Sequence, residues 1–325
     1  MTLADILEFD DKAVSRAVAV LTRGGLVAIP TETVYGLAAD AAHGEGVAGI
    51  FAAKGRPQFN PLIAHVESIA MAERYVTFDP VSRRLAEKFW PGPLTIVLPL
   101  LQKQVTSRPI HPLVTAGLDT LALRMPDGRV RDVIKQLDSP VAAPSANRSG
   151  RISPTSAQAV ATDLGGRIDL ILDAGPCGVG VESTIVKVDG ERVHLLRPGG
   201  LAADEIEAFL DKKLIRAKHD ALIQAPGMME SHYAPDAAMR LDVNSVKRGE
   251  ALLAFGRTRV AGSDDAVEIL NLSASGDLRE AASNLFDFMR RLDATGAVTI
   301  AVEPIPFEGL GEAINDRLKR AAAPR

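Results

Sequence analysis

The 325-residue sequence predicts an α/β fold with a mixed sheet, followed by a second, smaller α/β domain. Short apolar runs alternate with stretches of helical periodicity through residues 11–210, the pattern of strands joined by crossover helices. Two runs flank Asp189-Gly190, a dipeptide that closes antiparallel hairpins, so the sheet is not wholly parallel. From 211 to 235 the alternation breaks into turn-forming residues, and beyond it a shorter α/β pattern resumes.

Each element follows from local pattern. Residues 11–22 repeat apolar side chains at helical spacing and stop at Gly24-Gly25; 26–30 then reads as a buried strand leaving into Thr31-Glu-Thr33-Val-Tyr-Gly36. A short helix is expected over 46–54, a strand over 62–66, helices over 69–75 and 81–90, and a strand over 94–98 after the turn Pro91-Gly-Pro93. Further strands are expected at 121–124, 141–143 and 170–172, with helices at 131–136, 156–164 and 203–209. Residues 183–188 and 193–196 form the hairpin arms. In the second unit, strands at 251–255, 267–272 and 297–302 accompany helices at 278–292 and 311–320. The chain thus divides into a domain over 1–210, a linker over 211–236 and a domain over 237–325.

Composition narrows the function classes. With 46% hydrophobic and 24% charged residues the chain is of ordinary globular type, and its net charge of −4 argues against polyanion binding by the whole surface. A local basic face remains open to Lys54, Arg56, Arg124, Arg129, Arg131, Arg148, Arg151 and Arg197. The longest apolar runs, 26–30, 94–101 and 251–255, are far shorter than the roughly 20 residues of a membrane span, and the first residues lack the basic start of a signal peptide. A soluble, cytoplasmic protein with no membrane partner is therefore expected. The single Cys177 excludes an internal disulfide and is expected as a small buried or loop thiol; with six dispersed histidines it offers no zinc spacing, so no structural metal is expected.

Five loops at strand ends carry the polar chemistry. Lys54-Gly-Arg56-Pro-Gln-Phe-Asn60-Pro-Leu places two cations and an amide in a stretch whose prolines fix φ, which suits phosphate. Pro144-Ser145-Ala-Asn147-Arg-Ser149-Gly150 follows an apolar strand and precedes Ser153-Pro-Thr155; small hydroxyl and amide residues there let backbone N–H groups approach phosphate, although the same residues also make turns and caps. Thr31-Glu-Thr33 offers hydroxyls and a carboxylate to a small polar molecule or, equally, a helix cap. Glu182-Ser183-Thr184 and Leu196-Arg197-Pro-Gly complete the set. No Walker A sequence, dinucleotide-binding glycine pattern or nucleophile elbow is present, so the site is expected to position and neutralise charge without a covalent adduct.

Together, Lys54-Gly-Arg-Pro with Asn60-Pro-Leu, Pro144-Ser-Ala-Asn147, Ser153-Pro-Thr, Ser183-Thr-Ile-Val and Arg197-Pro-Gly resemble the YrdC/Sua5 family of L-threonylcarbamoyladenylate synthases. Residues 225–235, Ala225-Pro-Gly-Met to His232-Tyr233-Ala-Pro235, and the small α/β domain beyond them resemble the longer, Sua5-type members. The resemblance implies a YrdC-like twisted mixed sheet with flanking helices and a smaller, Rossmann-like C-terminal α/β domain. It implies a nucleotidyltransferase that joins L-threonine, bicarbonate and ATP into threonylcarbamoyl-AMP with release of pyrophosphate. That is the first step toward N6-threonylcarbamoyladenosine at position 37 of tRNA. By the same resemblance Thr33, His65, Arg124, the backbone at Ala143 and Ser183 hold L-threonine, and Arg56, Asn60, Thr120, Ser145, Ser153, Arg197 and Tyr233 contact ATP. Lys54 and Asn147 line the pocket and join Arg56 and Ser145 as catalytic residues, with Mg2+ held by ATP phosphates and no protein ligand. Met229-Glu-Ser-His232 departs from the family in lacking basic or aromatic residues between Pro-Gly-Met and His-Tyr. The expected partners are the downstream tRNA threonylcarbamoyl-transferase proteins, with tRNA or double-stranded RNA contact as a further candidate.

The residues suit this chemistry. Phosphoryl-type transfer is mostly positioning and neutralisation, work for Lys54, Arg56 and Arg197, while Arg124 can clamp a carboxylate and Thr33 or His65 can meet the hydroxyl or amine of the amino acid. The turn-rich linker carrying Tyr233 is expected to fold over the nucleotide as a lid. An RNA-binding module of the same fold without synthase activity is the alternative, since a basic concave face can hold RNA without chemistry.

Overall fold

Asp10 caps α1 (Asp11–Thr22) through its carboxylate, which accepts from Ala13 N, and Ala13, Val14, Ala17, Val20 and Leu21 form one buried stripe at helical spacing. The computed structural model describes residues 4–216 and 232–324. Further helices are α2 (Gly44–Lys54), α3 (Ile69–Ala72), α4 (Pro80–Phe89), α5 (Pro112–Thr115), α6 (Val130–Leu137), α7 (Ala157–Leu164) and α8 (Ala203–Leu210). The strands accompanying them are β1 (Asp5–Glu8), β2 (Val27–Ile29), β3 (Gly36–Asp40), β4 (Ile63–His65), β5 (Leu94–Pro99), β6 (Thr120–Arg124), β7 (Val141–Ala142), β8 (Leu170–Asp173), β9 (Thr184–Asp189), β10 (Arg192–Arg197) and β11 (Ile215–Arg216).

Among the described residues these strands make one sheet in the order β1-β8-β2-β3-β7-β4-β6-β5-β9-β10-β11. It is mixed: β4 lies parallel to β6 and β5 parallel to β9, whereas β3, β7 and β4 run alternately and β9 and β10 form the hairpin. The expected Asp189-Gly190 turn is there, with Asp189 opposite Arg192 and Gly190 at φ +57. Three strands escape the sequence pattern. β1 and β11 are exposed edges, and β3, Gly-Leu-Ala-Ala-Asp, is wholly buried yet poor in β-branched residues. Because β11 pairs with β10, residues 215–216 belong to the large sheet and are not linker. Most of the expected lid, 217–231, lies outside the described residues.

Beyond, β12 (Ala238–Arg240), β13 (Ala251–Ala254), β14 (Ile269–Asn271) and β15 (Thr299–Val302) form a parallel sheet in the order β12-β15-β13-β14, accompanied by α9 (Leu278–Ala294) and α10 (Gly311–Ala322). β12 is a further strand without a sequence signal. The core under this sheet reaches back into the large domain: Val34, Ile152 and Val181 are buried with Leu285, Phe286 and Ile314, and Tyr233 lies among them. Among the described residues no helix is long and apolar enough to cross a membrane.

Candidate active site

The cavity that gathers the sequence-derived loops lies where strand ends of both polarities meet. His65 and Arg124 close β4 and β6, and Ala143, Pro144 and Ser145 follow β7; Gly36 opens β3, and Glu182 and Ser183 precede β9. In a purely parallel sheet only carboxyl ends would converge; antiparallel pairing here brings amino ends to the same place. Thr31, Thr33, Arg56, Ile63, Arg197, His232 and Tyr233 complete most of the wall, around a cavity of about 50 Å³.

Alternation along the strands sorts side chains between the cavity and the core. Leu121 and Leu123 enter the main core, while Ala122 faces Ile63, Val97 and Ile185 under the cavity and Arg124 joins its wall. On β10 the register slips between Leu195 and Arg197. Leu195 pairs with Val186 toward the core, and Arg197 pairs with Ile185 on the cavity side. A bulge therefore turns Arg197 out of the core and into the site. Its Nε and Nη2 donate to the Ser183 carbonyl at 3.1 and 2.8 Å, and Nη2 reaches Ser183 Oγ at 3.2 Å. Burial depresses the Arg197 pKa.

Nine of the residues assigned by resemblance line the cavity: Thr33, Arg56, His65, Arg124, Ala143, Ser145, Ser183, Arg197 and Tyr233. Lys54, Asn60, Thr120, Asn147 and Ser153 do not. Lys54 is not a loop cation; it is the last residue of α2, which Gly55 ends in a left-handed turn at φ +61. Its buried ammonium donates to the carbonyls of Ser145 and Asn147 and so braces that loop from behind. Burial, and then Arg56 nearby, holds its pKa well below the usual lysine value. Asn147 clamps the same loop, donating to the carbonyls of Arg148 and Arg151 at 2.8 Å each. Asn60 and Pro61 offer carbonyls to Arg56 Nη2 at 3.4 and 3.0 Å, fixing the guanidinium at the cavity edge. Ser153 Oγ donates to Glu182 Oε1. Thr120 opens β6 on the face of Ala122 and Arg124 but at the opposite end of the strand from Arg124. The expected basic face also divides: Arg56, Arg124 and Arg197 enter the cavity, whereas Arg129 pairs with Asp11 and Arg151 with Asp236 away from it.

The subsite expected for the amino acid is more occupied than a free carboxylate clamp. Arg124 Nε donates to Gly92 O at 3.1 Å, Nη1 to Thr33 Oγ1 at 2.9 Å, and Nη2 lies 2.7 Å from Glu32 Oε1. Glu32 therefore holds one arm of the fork. Thr31 Oγ1 lies 2.9 Å from Thr33 Oγ1 and donates to Val34 O at 2.7 Å. His65 is buried beside Arg124; burial, then that charge, brings its pKa to about 3, so the imidazole is neutral. Its Nδ1 has no hydrogen-bond partner among the described residues. Cys177 is a buried free thiol, outside this cavity and pushed up to about 12 by burial.

Three polar residues of the wall, Thr31, Glu182 and His232, and Arg317 behind it escaped assignment from sequence. Thr31 and His232 sit in segments already singled out. Glu182 stood in a recognised loop without a role, and only the fold shows its carboxylate tied to Ser153 and Arg317. Arg317, in α10, carried no signal, because an arginine in a charged helical stretch reads as a solvated face.

Fold and cavity together define a two-domain α/β protein whose buried site mixes arginines with small hydroxyl residues, the composition of a pocket for a phosphorylated ligand and a small polar one. A family model described as "Telomere recombination" matches residues 19–199, and a model of the threonylcarbamoyl-AMP synthase C-terminal domain matches 201–323. The chain belongs to the YrdC/Sua5 family of threonylcarbamoyl-AMP synthases, in its two-domain form. It is 39% identical to the threonylcarbamoyl-AMP synthase of Bacillus subtilis (strain 168), over 99% of this chain and 96% of that protein. It is 40% identical to that of Pyrococcus abyssi, over 95% and 94%. The crystal structure of P. abyssi Sua5 complexed with L-threonine superposes with a TM-score of 0.87 at 36% identity, covering 99% of this chain and 97% of that one.

Proposed function

We infer that the protein synthesises L-threonylcarbamoyl-AMP from L-threonine, bicarbonate and ATP, releasing pyrophosphate as a nucleotidyltransferase does. The observation that carries this is the meeting of two residue sets in one cavity: Arg56 and Arg197 on one side, Thr33, His65, Arg124 and Ser183 on the other. The P. abyssi relative, of matching fold, holds L-threonine.

In this reading Arg124, Thr33 and Ser183 orient threonine. Neutral His65 lies beside them, and the amine takes up CO2, or bicarbonate with loss of water, as a carbamate. The carbamate oxygen attacks the α-phosphate while pyrophosphate leaves, and Arg56 and Arg197 offset the charge that develops on the phosphate oxygens. Lys54 and Asn147 act indirectly, by fixing Ser145 and its neighbours. A Mg2+ carried by the ATP phosphates would supply further charge neutralisation. The product suits consumption by downstream tRNA threonylcarbamoyl-transferase proteins in the cytoplasm.

Incubation with ATP, Mg2+ and bicarbonate is expected to release pyrophosphate only when L-threonine is added. Release independent of threonine, or none, would overturn the synthase reading and favour an RNA-binding module.

A further inference from the structure

We propose that Arg317, from α10 of the smaller domain, is a positioning residue of the nucleotide site: it holds Glu182 and Tyr233 in place and offsets the Glu182 charge, so that ATP affinity depends on the smaller domain. This rests on the synthase reading.

Arg317 is fully buried, which is rare for arginine without a specific partner. Its Nε donates to Glu182 Oε2 at 2.8 Å and its Nη1 to Asp316 Oδ2 at 2.6 Å, and its guanidinium carbon lies 5.1 Å from the centre of the Tyr233 ring. Both Glu182 and Tyr233 line the cavity, whereas Arg317 does not. The other oxygen of Glu182 takes the Ser153 hydroxyl, and the next residue, Ser183, gives its carbonyl to Arg197. A continuous polar chain thus runs from the last helix to the cation placed for phosphate.

The charge arithmetic gives the chain its purpose. A carboxylate in the wall of a phosphate pocket repels its ligand unless a cation compensates it. Burial alone would raise the Glu182 carboxyl, yet Arg317, then Arg197, and the Ser153 hydroxyl outweigh it and bring the pKa to about 2. Without Arg317 that buried carboxylate would lose its largest compensating charge, leaving only Arg197 and the Ser153 hydroxyl against it beside the triphosphate. Tyr233 adds a second lever. It sits in the left-handed region at φ +65, unfavourable for a tyrosine, between Phe286 at 5.5 Å and the Arg317 guanidinium. Arg317 Nη2 has no acceptor among the described residues, a cost of burial that the placement of its charge beside Glu182 explains.

The test is calorimetric titration of the full-length protein with ATP and, separately, with L-threonine, using Arg317→Met, Arg317→Lys, Glu182→Gln and the double variant Arg317→Met/Glu182→Gln. Arg317→Met is expected to weaken ATP binding on the order of tenfold or more while threonine affinity changes far less. Arg317→Lys, which keeps charge but not the planar fork, falls between. Adding Glu182→Gln to Arg317→Met is expected to recover a large part of the loss, because it removes the stranded charge. Unchanged ATP affinity in Arg317→Met, equal losses for both ligands, or purely additive losses in the double variant would each overturn the proposal. If Arg317→Met does not fold, Arg317→Lys with and without Glu182→Gln supplies the same comparison. Failure of the unaltered protein to bind ATP would sink the synthase reading itself, whereas binding unaffected by Arg317 would sink this inference alone.

Discussion

Single side chains at this site are tuned by burial as much as by partners. His65 and His232 are buried and both have pKa values lowered to about 3, His65 by burial and then Arg124, His232 by burial with Lys54, Arg56 and Arg317 adding to it against Glu182. Between 6.5 and 3 the unfolded chain binds protons at these positions that the folded protein does not, so stability falls as pH drops through that window. Glu182 behaves likewise lower down: its contribution is complete above 4.5 and is lost as pH falls toward about 2. Thermal melting from pH 7.5 to 3.5 is expected to show a declining Tm, and His65→Gln to shallow the slope below pH 6.5. An identical slope in the variant would show that His65 titrates normally. Residue types on loops were readable in the sequence because cations beside prolines, and Ser-Ala-Asn after an apolar strand, mark themselves locally. Contacts were less so: nothing local in the sequence shows that Lys54 and Asn147 hold carbonyls of the 145–151 loop.

At the scale of elements, strands and helices with strong periodicity were legible, and the failures share a cause. β3 and β12 take their conformation from neighbours on either side or from one long-range pairing, not from their own propensity. The bulge at the end of β10 is equally silent in sequence, since Leu195-Leu196-Arg197 reads as ordinary alternation. The turn after the bulge, residues 197–200, holds it in place. A Cβ on Gly199 would come within 2.3 Å of Glu182 O and 2.4 Å of Ser183 C and Thr184 N, so only glycine lets this turn lie against the start of β9. Gly199→Ala must push these backbones apart at the point where Arg197 grips Ser183. The expected result is a loss of about 2–4 kcal/mol in stability and a weaker hold on ATP, read by chemical denaturation and by the ATP KM for pyrophosphate release. A variant with unaltered denaturation midpoint and KM would mean that the turn has slack the structure does not show.

For the whole molecule, the two sheets were foreseeable from the interruption after residue 210, but their mutual dependence was not, because the residues that join them are far apart in sequence. Val34, Ile152 and Val181, from loops around the cavity, are buried in one apolar cluster with Leu285, Phe286 and Ile314 of the smaller domain. Arg290 extends this seam by donating to Ile152 O at 2.8 Å, and Arg216 beside β10 pairs with Glu312 at 2.7 Å. An apolar seam of this kind makes the two domains unfold together, since neither can leave without exposing the other's core. Val181 is fully buried in it and adjoins Glu182, so Val181→Asp strands a carboxylate between the domains. The unaltered protein is expected to melt in one calorimetric transition, and the substitution to cost about 3 kcal/mol or more and to split that melt into two. Two well-separated transitions already present in the unaltered protein would show instead that the domains melt independently and that the seam transmits no stability.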